Sequence, residues 1–96
     1  MFGLSEPTAT KCAAMCNHAR SRFAQGARPS QVARELERMT HSSIYLIIVM
    51  CELTGCGLKE AKGMGAYFPP RTPTEDDMFD REYDAIRARF RLGDAP

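Results

Sequence analysis

Six side chains in this sequence have the types needed to hold a metal or to act as nucleophile and base: Cys12, Cys16, Cys51, Cys56, His18 and His41. Their spacing argues for neither role. A structural zinc site shows tight Cys-x-x-Cys pairs. Cys12 and Cys16 instead stand one helical turn apart, and Cys51 and Cys56 flank Gly55. Cys12 and Cys16 also share a helical face with Met15, Ala19 and Phe23, which predicts small buried thiols rather than ligands. A nucleophilic cysteine needs a nearby base and a depressed pKa. His18 follows Cys16 by two positions, so on a helix it points elsewhere, and no Asp or Asn is placed to orient either histidine. The acidic run from Glu75 to Asp84 lacks the alternating ligands and glycine of a calcium loop. No metal, no cofactor and no catalysis are expected. A cysteine-dependent enzyme using Cys16 or Cys56 is the chemical alternative.

The element that must organise everything else is Ile44 to Lys62, IYLIIVMCELTGCGLKEAK. Its apolar first half has to be buried, and the Gly-Cys-Gly break lets the chain turn into a short charged helix-former. Ile, Tyr and Val also favour strands. The length of the run and its helical flanks predict a buried helix over about 43–54, capped by Ser42 or Ser43 and ended by Gly55.

The remaining pattern predicts an all-α bundle of about five helices around that central one. Ser5 caps the first, with Glu6 and Pro7 in its opening turn and Gly26 beyond its end. A second starts near Pro29-Ser30, with Val32, Leu36 and Met39 on one face. A fourth runs from Leu58 to about Met64. A proline-rich linker is expected at 66–73, closing on Pro73. Thr74 and Asp77 then form a weak capping box for a last helix. In it Phe79, Tyr83, Ile86 and Phe90 form the apolar stripe, Arg81, Asp84, Arg87 and Arg91 line the outer side, and Gly93 closes the element.

Ninety-six residues make a single small helical domain. The formal charge of +1 favours neither nucleic acid nor membrane. Its distribution is uneven: residues 1–34 carry Lys11, Arg20, Arg22, Arg28 and Arg34 against Glu6 alone, while 75–84 carry six acids against Arg81. Either these segments face each other, or the molecule is polar with a basic patch for an acidic partner. The amino terminus has no basic and apolar leader pattern, and the apolar run is shorter than the ~20 residues that span a bilayer, so a cytoplasmic location is expected. Gln31–Leu36 followed by Thr40–Tyr45 has the outline of a helix-turn-helix. The would-be reading helix, however, is almost wholly apolar and cannot read base edges. A DNA-binding helix-turn-helix regulator that uses Arg20, Arg22 and Arg28 on phosphate is kept as the alternative.

Leu53-Thr-Gly-Cys-Gly-Leu-Lys-Glu-Ala-Lys62 resembles the helical hairpin in the C-terminal domain of the bacterial ribosomal stalk protein, whose core reads leucine/alanine-Thr-Gly-Leu-Gly-Leu-Lys-Glu-Ala-Lys. The resemblance covers only residues 44–62. It implies a hairpin of protein-docking type, with Leu58 and Ala61 facing the partner helix and Lys62 at the contact. Ile48 and Cys51 stand where that family has basic residues, and the family's flanking strands have no counterpart. The expectation is therefore a non-catalytic protein that binds another macromolecule, a protein or a ribonucleoprotein, as an adaptor or inhibitor. Small helical products of phages and mobile elements, including anti-CRISPR inhibitors, are of this size and type. The expected contact residues are Lys11, Arg20, Arg22 and Arg28, with Lys59 and Lys62 as a second set. A homodimer is left open.

Overall fold

The computed structural model describes residues 6–40, 42–64 and 70–94. These form five helices: α1 (Glu6–Ala24), α2 (Pro29–Met39), α3 (Ser43–Thr54), α4 (Leu58–Gly63) and α5 (Pro73–Asp94), with no strand among the described residues. The all-α architecture is the one expected. The proposed Ser5 cap lies outside the described residues.

Helix α3 is the core. Leu46 through Cys51 are buried at every consecutive position, and so is Thr54. A helix apolar on all sides must be enclosed on all sides, and α1, α2, α4 and α5 all pack on it. That enclosure overrides the strand preference of its β-branched residues, and the ends reinforce the outcome. Ser42 is the N-cap and accepts the Tyr45 N–H at 3.4 Å. Gly55, at φ 79°, takes the left-handed conformation that a side chain would strain, and its N–H closes on the Cys51 carbonyl at 2.8 Å. Burial stops short at the start of the run: Ile44 is 63% exposed. Tyr45 is half-buried, and its hydroxyl lies 3.1 Å from Thr8 Oγ1.

Helix α1 buries Cys12, Met15, Cys16 and Ala19 as one stripe. It ends in a paired closure: Gly26, at φ 90°, donates to Phe23 and Ala27 donates to Arg22, both at 3.0 Å. This is the Schellman pattern, for which glycine is the ordinary choice. Helix α2 turns Val32, Ala33 and Leu36 inward. Pro29 opens it, where a missing N–H costs nothing.

Several expectations are corrected in the last two helices. In α4 Ala61 is fully buried, while Leu58, expected beside it against α3, is 47% exposed. It is the first residue after the Gly57 N-cap of a six-residue helix, and only one side of so short an element can turn inward. The capping box of α5 lies two residues upstream of the Thr74–Asp77 pair. Thr72 Oγ1 accepts the Glu75 N–H, and Glu75 Oε1 accepts the Thr72 N–H, both at 3.1 Å. Pro73 is therefore the first helical residue rather than the end of the linker, as its fixed φ favours. Of that linker, 66–69 lie outside the described residues. Gly93 does not close α5, which runs on to Asp94. Phe79, Tyr83 and Ile86 supply the buried stripe of α5.

Candidate functional site

The reactive side chains are placed for packing. All four thiols are free and buried. Burial raises the Cys12 and Cys16 pKa, and it pushes Cys51 up to about 12, with Cys56 alongside adding to the rise. A thiolate is the nucleophile, so each of these shifts opposes reactivity. His18 does have a carboxylate partner, which the sequence did not reveal: its Nε2 lies 2.8 Å from Glu35 Oε1. Arg22 Nε donates to the same carboxylate at 3.0 and 3.3 Å. Burial alone would raise the Glu35 carboxyl, but the bonds from Arg22 and His18 outweigh it and hold it below its ordinary value. Among the described residues no three His, Cys, Asp or Glu come close enough to hold a metal ion, and His41 lies outside them. The inertness of the thiols is directly measurable. At neutral pH a maleimide or disulfide reagent should label native protein slowly and label denatured protein at once. Raising a thiol from 9.0 to about 12 cuts its thiolate roughly a thousandfold. Rapid stoichiometric labelling of the folded chain would instead revive the cysteine-enzyme alternative.

Of the two ways the uneven charge could be used, the helices realise the first: the basic and acidic segments face each other. Arg28 reaches Asp77 Oδ1 at 2.7 Å and Asp80 Oδ2 at 2.5 Å. Arg34 pairs with Asp76 and also donates to the Pro70 carbonyl at 3.2 Å. Arg71 grips Glu37 through two bonds, at 2.9 and 2.8 Å. Arg22 and Arg28, both expected at a contact surface, are thus engaged inside the molecule. Lys11 and Arg20 on α1, and Lys59 and Lys62 on α4, are exposed and in no ion pair among the described residues.

Arg20 lines a cavity. A cleft of about 440 Å³ is lined by Arg20, Phe23 and Ala24 of α1, Leu53 of α3, and Tyr83 and Arg87 of α5. Its floor is set by the Phe23 and Tyr83 rings, whose centroids stand 5.5 Å apart at 32°. Tyr83 is 2% exposed, and burial pushes its phenol up to about 12 against the opposing pull of Arg87. Arg20, Ala24 and Arg87 are exposed at the rim. Neither arginine has a carboxylate within ion-pair distance among the described residues, although Glu52 and Asp84 act on the neighbouring Cys16 and Tyr83.

Comparison of the chain with protein-family models, curated proteins and solved structures finds no match. The site must therefore be read from its own residues.

Arg87, Phe23, Leu53 and Tyr83 were not anticipated as site residues. Arg87 follows Tyr83 by one helical turn and so borders the buried stripe of α5, which was the available signal. A second cavity, about 280 Å³, lies between α4 and α5 against Gly63, Met64, Pro70, Met78 and Phe79, with Glu75 and Glu82 at its edge. Glu75 is committed to capping α5.

Proposed function

We propose that this chain is a non-catalytic binding protein that docks onto another protein, as an adaptor or inhibitor does. The observation that carries the reading is the contrast between its arginines. Arg22, Arg28, Arg34 and Arg71 each grip a carboxylate of the chain itself, whereas Arg20 and Arg87 stand exposed without one among the described residues, and both line the cleft that Phe23, Leu53 and Tyr83 also line. Such convergence of charge and apolar floor is what a recognition site needs. The burial of the thiols supports a function without covalent chemistry. An inhibitor of the phage or mobile-element type, such as an anti-CRISPR, fits within this reading because it needs only to occupy a partner's surface.

The stalk-like hairpin contributes less. Ile48 and Cys51, at the positions where the stalk family carries basic residues, are 6% and 4% exposed, so the face that docks in that family is covered here. Lys59 and Lys62 on exposed α4 are the part of the hairpin that can still touch a partner. The enclosure of α3 likewise leaves the DNA-binding alternative without a reading helix, so contact with DNA would rest on phosphate alone.

The test is affinity capture from source-cell lysate at moderate salt, with identification by mass spectrometry and nuclease treatment as one arm. The expected result is stoichiometric retention of a defined protein that survives nuclease. Retention of nucleic acid alone, or of nothing, overturns the reading.

A further inference from the structure

We infer that Cys51 and Cys56 are a redox pair, which a low-molecular-weight disulfide of the glutathione class oxidises to an internal disulfide spanning the turn between α3 and α4. The bond forms within the molecule and is independent of what the chain docks onto.

The turn itself brings the two thiols together. A glycine in the left-handed conformation after a helix folds the following residue back onto the last turn. Gly55, at φ 79°, does this here, and its N–H closes on the Cys51 carbonyl at 2.8 Å. Thr54 latches the next residue: its Oγ1 donates to the Met50 carbonyl at 2.7 Å and accepts the Cys56 N–H at 3.3 Å. Cys51 and Cys56 thus occupy the two positions whose side chains meet at such a helix end. Their thiols are within hydrogen-bond reach of each other, and both belong to the same buried core.

Cys12 and Cys16 lack this geometry. They lie one turn apart on the unbroken helix α1, where Cβ atoms stand about 5–6 Å apart. A disulfide needs about 3.5–4.5 Å, so closing that pair would unwind α1. Cys56 instead stands between Gly55 and Gly57, where the backbone can adjust to draw two sulfurs from contact to bonding distance. Bridging would tie the start of α4 to the end of α3.

Atoms and electrons balance with that oxidant alone. One cysteine thiolate attacks a sulfur of the external disulfide and expels one thiolate, leaving a mixed disulfide. The second cysteine thiolate attacks the protein sulfur of that mixed disulfide and expels the other. The protons released from Cys51 and Cys56 end on the two expelled thiolates. The chain loses two electrons and the external disulfide gains them. Burial makes the exchange slow: it holds Cys51 at about 12, so little thiolate is present until the turn opens. Proximity, not acidity, sets how far the exchange proceeds. Slow maleimide labelling and a strong tendency to close the bond are therefore compatible.

The experiment equilibrates the intact chain in glutathione buffers of graded oxidised-to-reduced ratio, with and without enough urea to unfold it. Each ratio is approached from reduced protein and from protein oxidised in urea and then refolded, until the two agree. After acid quenching and alkylation, intact mass and peptide mapping give the bridged fraction and its position. The folded chain is expected to form the Cys51–Cys56 bridge at a ratio about tenfold or more lower than the unfolded chain needs. By linkage the bridged chain should then also have the higher urea midpoint. Mapping on the wild-type chain requires no core variant to fold. Four results overturn the inference: a folded-state ratio no lower than the unfolded one, a bridge that maps to any other pair, mixed glutathione adducts in place of a bridge, or a bridged chain that fails to refold.

Discussion

Replacing Val49 with aspartate is expected to abolish the cooperative unfolding transition of this protein. Val49 is fully buried in the middle of α3, with buried residues on both sides of it along the chain and other helices around it. A carboxylate there must either stay charged in an apolar core, at several kcal/mol, or hold a proton at neutral pH. The lost valine packing adds about 1–3 kcal/mol. A chain of this length has only about 5–14 kcal/mol of stability in total. The Val49→Asp variant should therefore show weak helical circular dichroism without a sharp melt. Acidification should restore some structure: the buried carboxyl titrates above its unfolded value, so the folded form gains protons as pH falls and is favoured by them. The control is Ile44→Asp on the same helix. Ile44 is 63% exposed, and its replacement should change stability by roughly 0.5 kcal/mol or less. If Val49→Asp melted cooperatively within a few degrees of wild type, α3 would not be the enclosed core. The cleft floor, which includes Leu53 at the end of α3, would lose its foundation.

What could be read in advance divides along a physical line. Local signals were legible. Ser42, the apolar run and Gly55 delimit α3 because caps and burial act within a few residues, and the same holds for Gly26 after α1 and for the stripe of Phe79, Tyr83 and Ile86. Errors of detail were local too. Pro73 reads equally as the end of a loop or as the first residue of a helix, and the Thr72–Glu75 box decides for the second. Long-range pairing was not legible. Nothing near Arg28 in the sequence distinguishes it from Arg20, yet Arg28 is held by Asp77 and Asp80 while Arg20 stands free at a cleft. Charge segregation announced that basic and acidic segments would meet. It could not say which arginines would be consumed and which left over, because that depends on how α5 lies across α2. Arg20 and Arg87 are among the cations left over by that internal pairing, as are Lys11, Lys59 and Lys62.

Asp80 is one of three α5 carboxylates, with Asp76 and Asp77, that tie α5 to the α2 segment, and removing it should have the second large effect. Helix α2 has no cap of its own, since Arg28 occupies the N-cap position and makes no side-chain capping bond. Asp80 supplies the missing acceptor from α5: its Oδ1 takes the Ser30 N–H at 2.7 Å and its Oδ2 takes Arg28 Nε at 2.5 Å. A carboxylate on the amino end of a helix satisfies an orphan donor and complements the dipole together. Asp80→Ala leaves a part-buried N–H without a partner and should cost about 2 kcal/mol. That lowers the melting temperature by about 8–16 °C for a domain of this size, with the urea midpoint reduced and its slope unchanged. Asp80→Asn keeps an acceptor oxygen and should cost less. Asp77 is the internal control: it also contacts Arg28 but is 64% exposed and caps nothing, so Asp77→Ala should be nearly silent. Ser30 Oγ offers a second control. It is buried without a hydrogen-bond partner, so Ser30→Ala should be neutral or stabilising, because what Asp80 holds is the backbone N–H and not the hydroxyl. Equal losses from Asp80→Ala and Asp77→Ala would mean that Asp80 contributes only a surface ion pair. A larger loss from Asp80→Ala would show that the bond to the Ser30 N–H, beyond the ion pair with Arg28, contributes to stability. The seating of α5 on α2 also brings the Tyr83 ring within 5.5 Å of the Phe23 ring on α1.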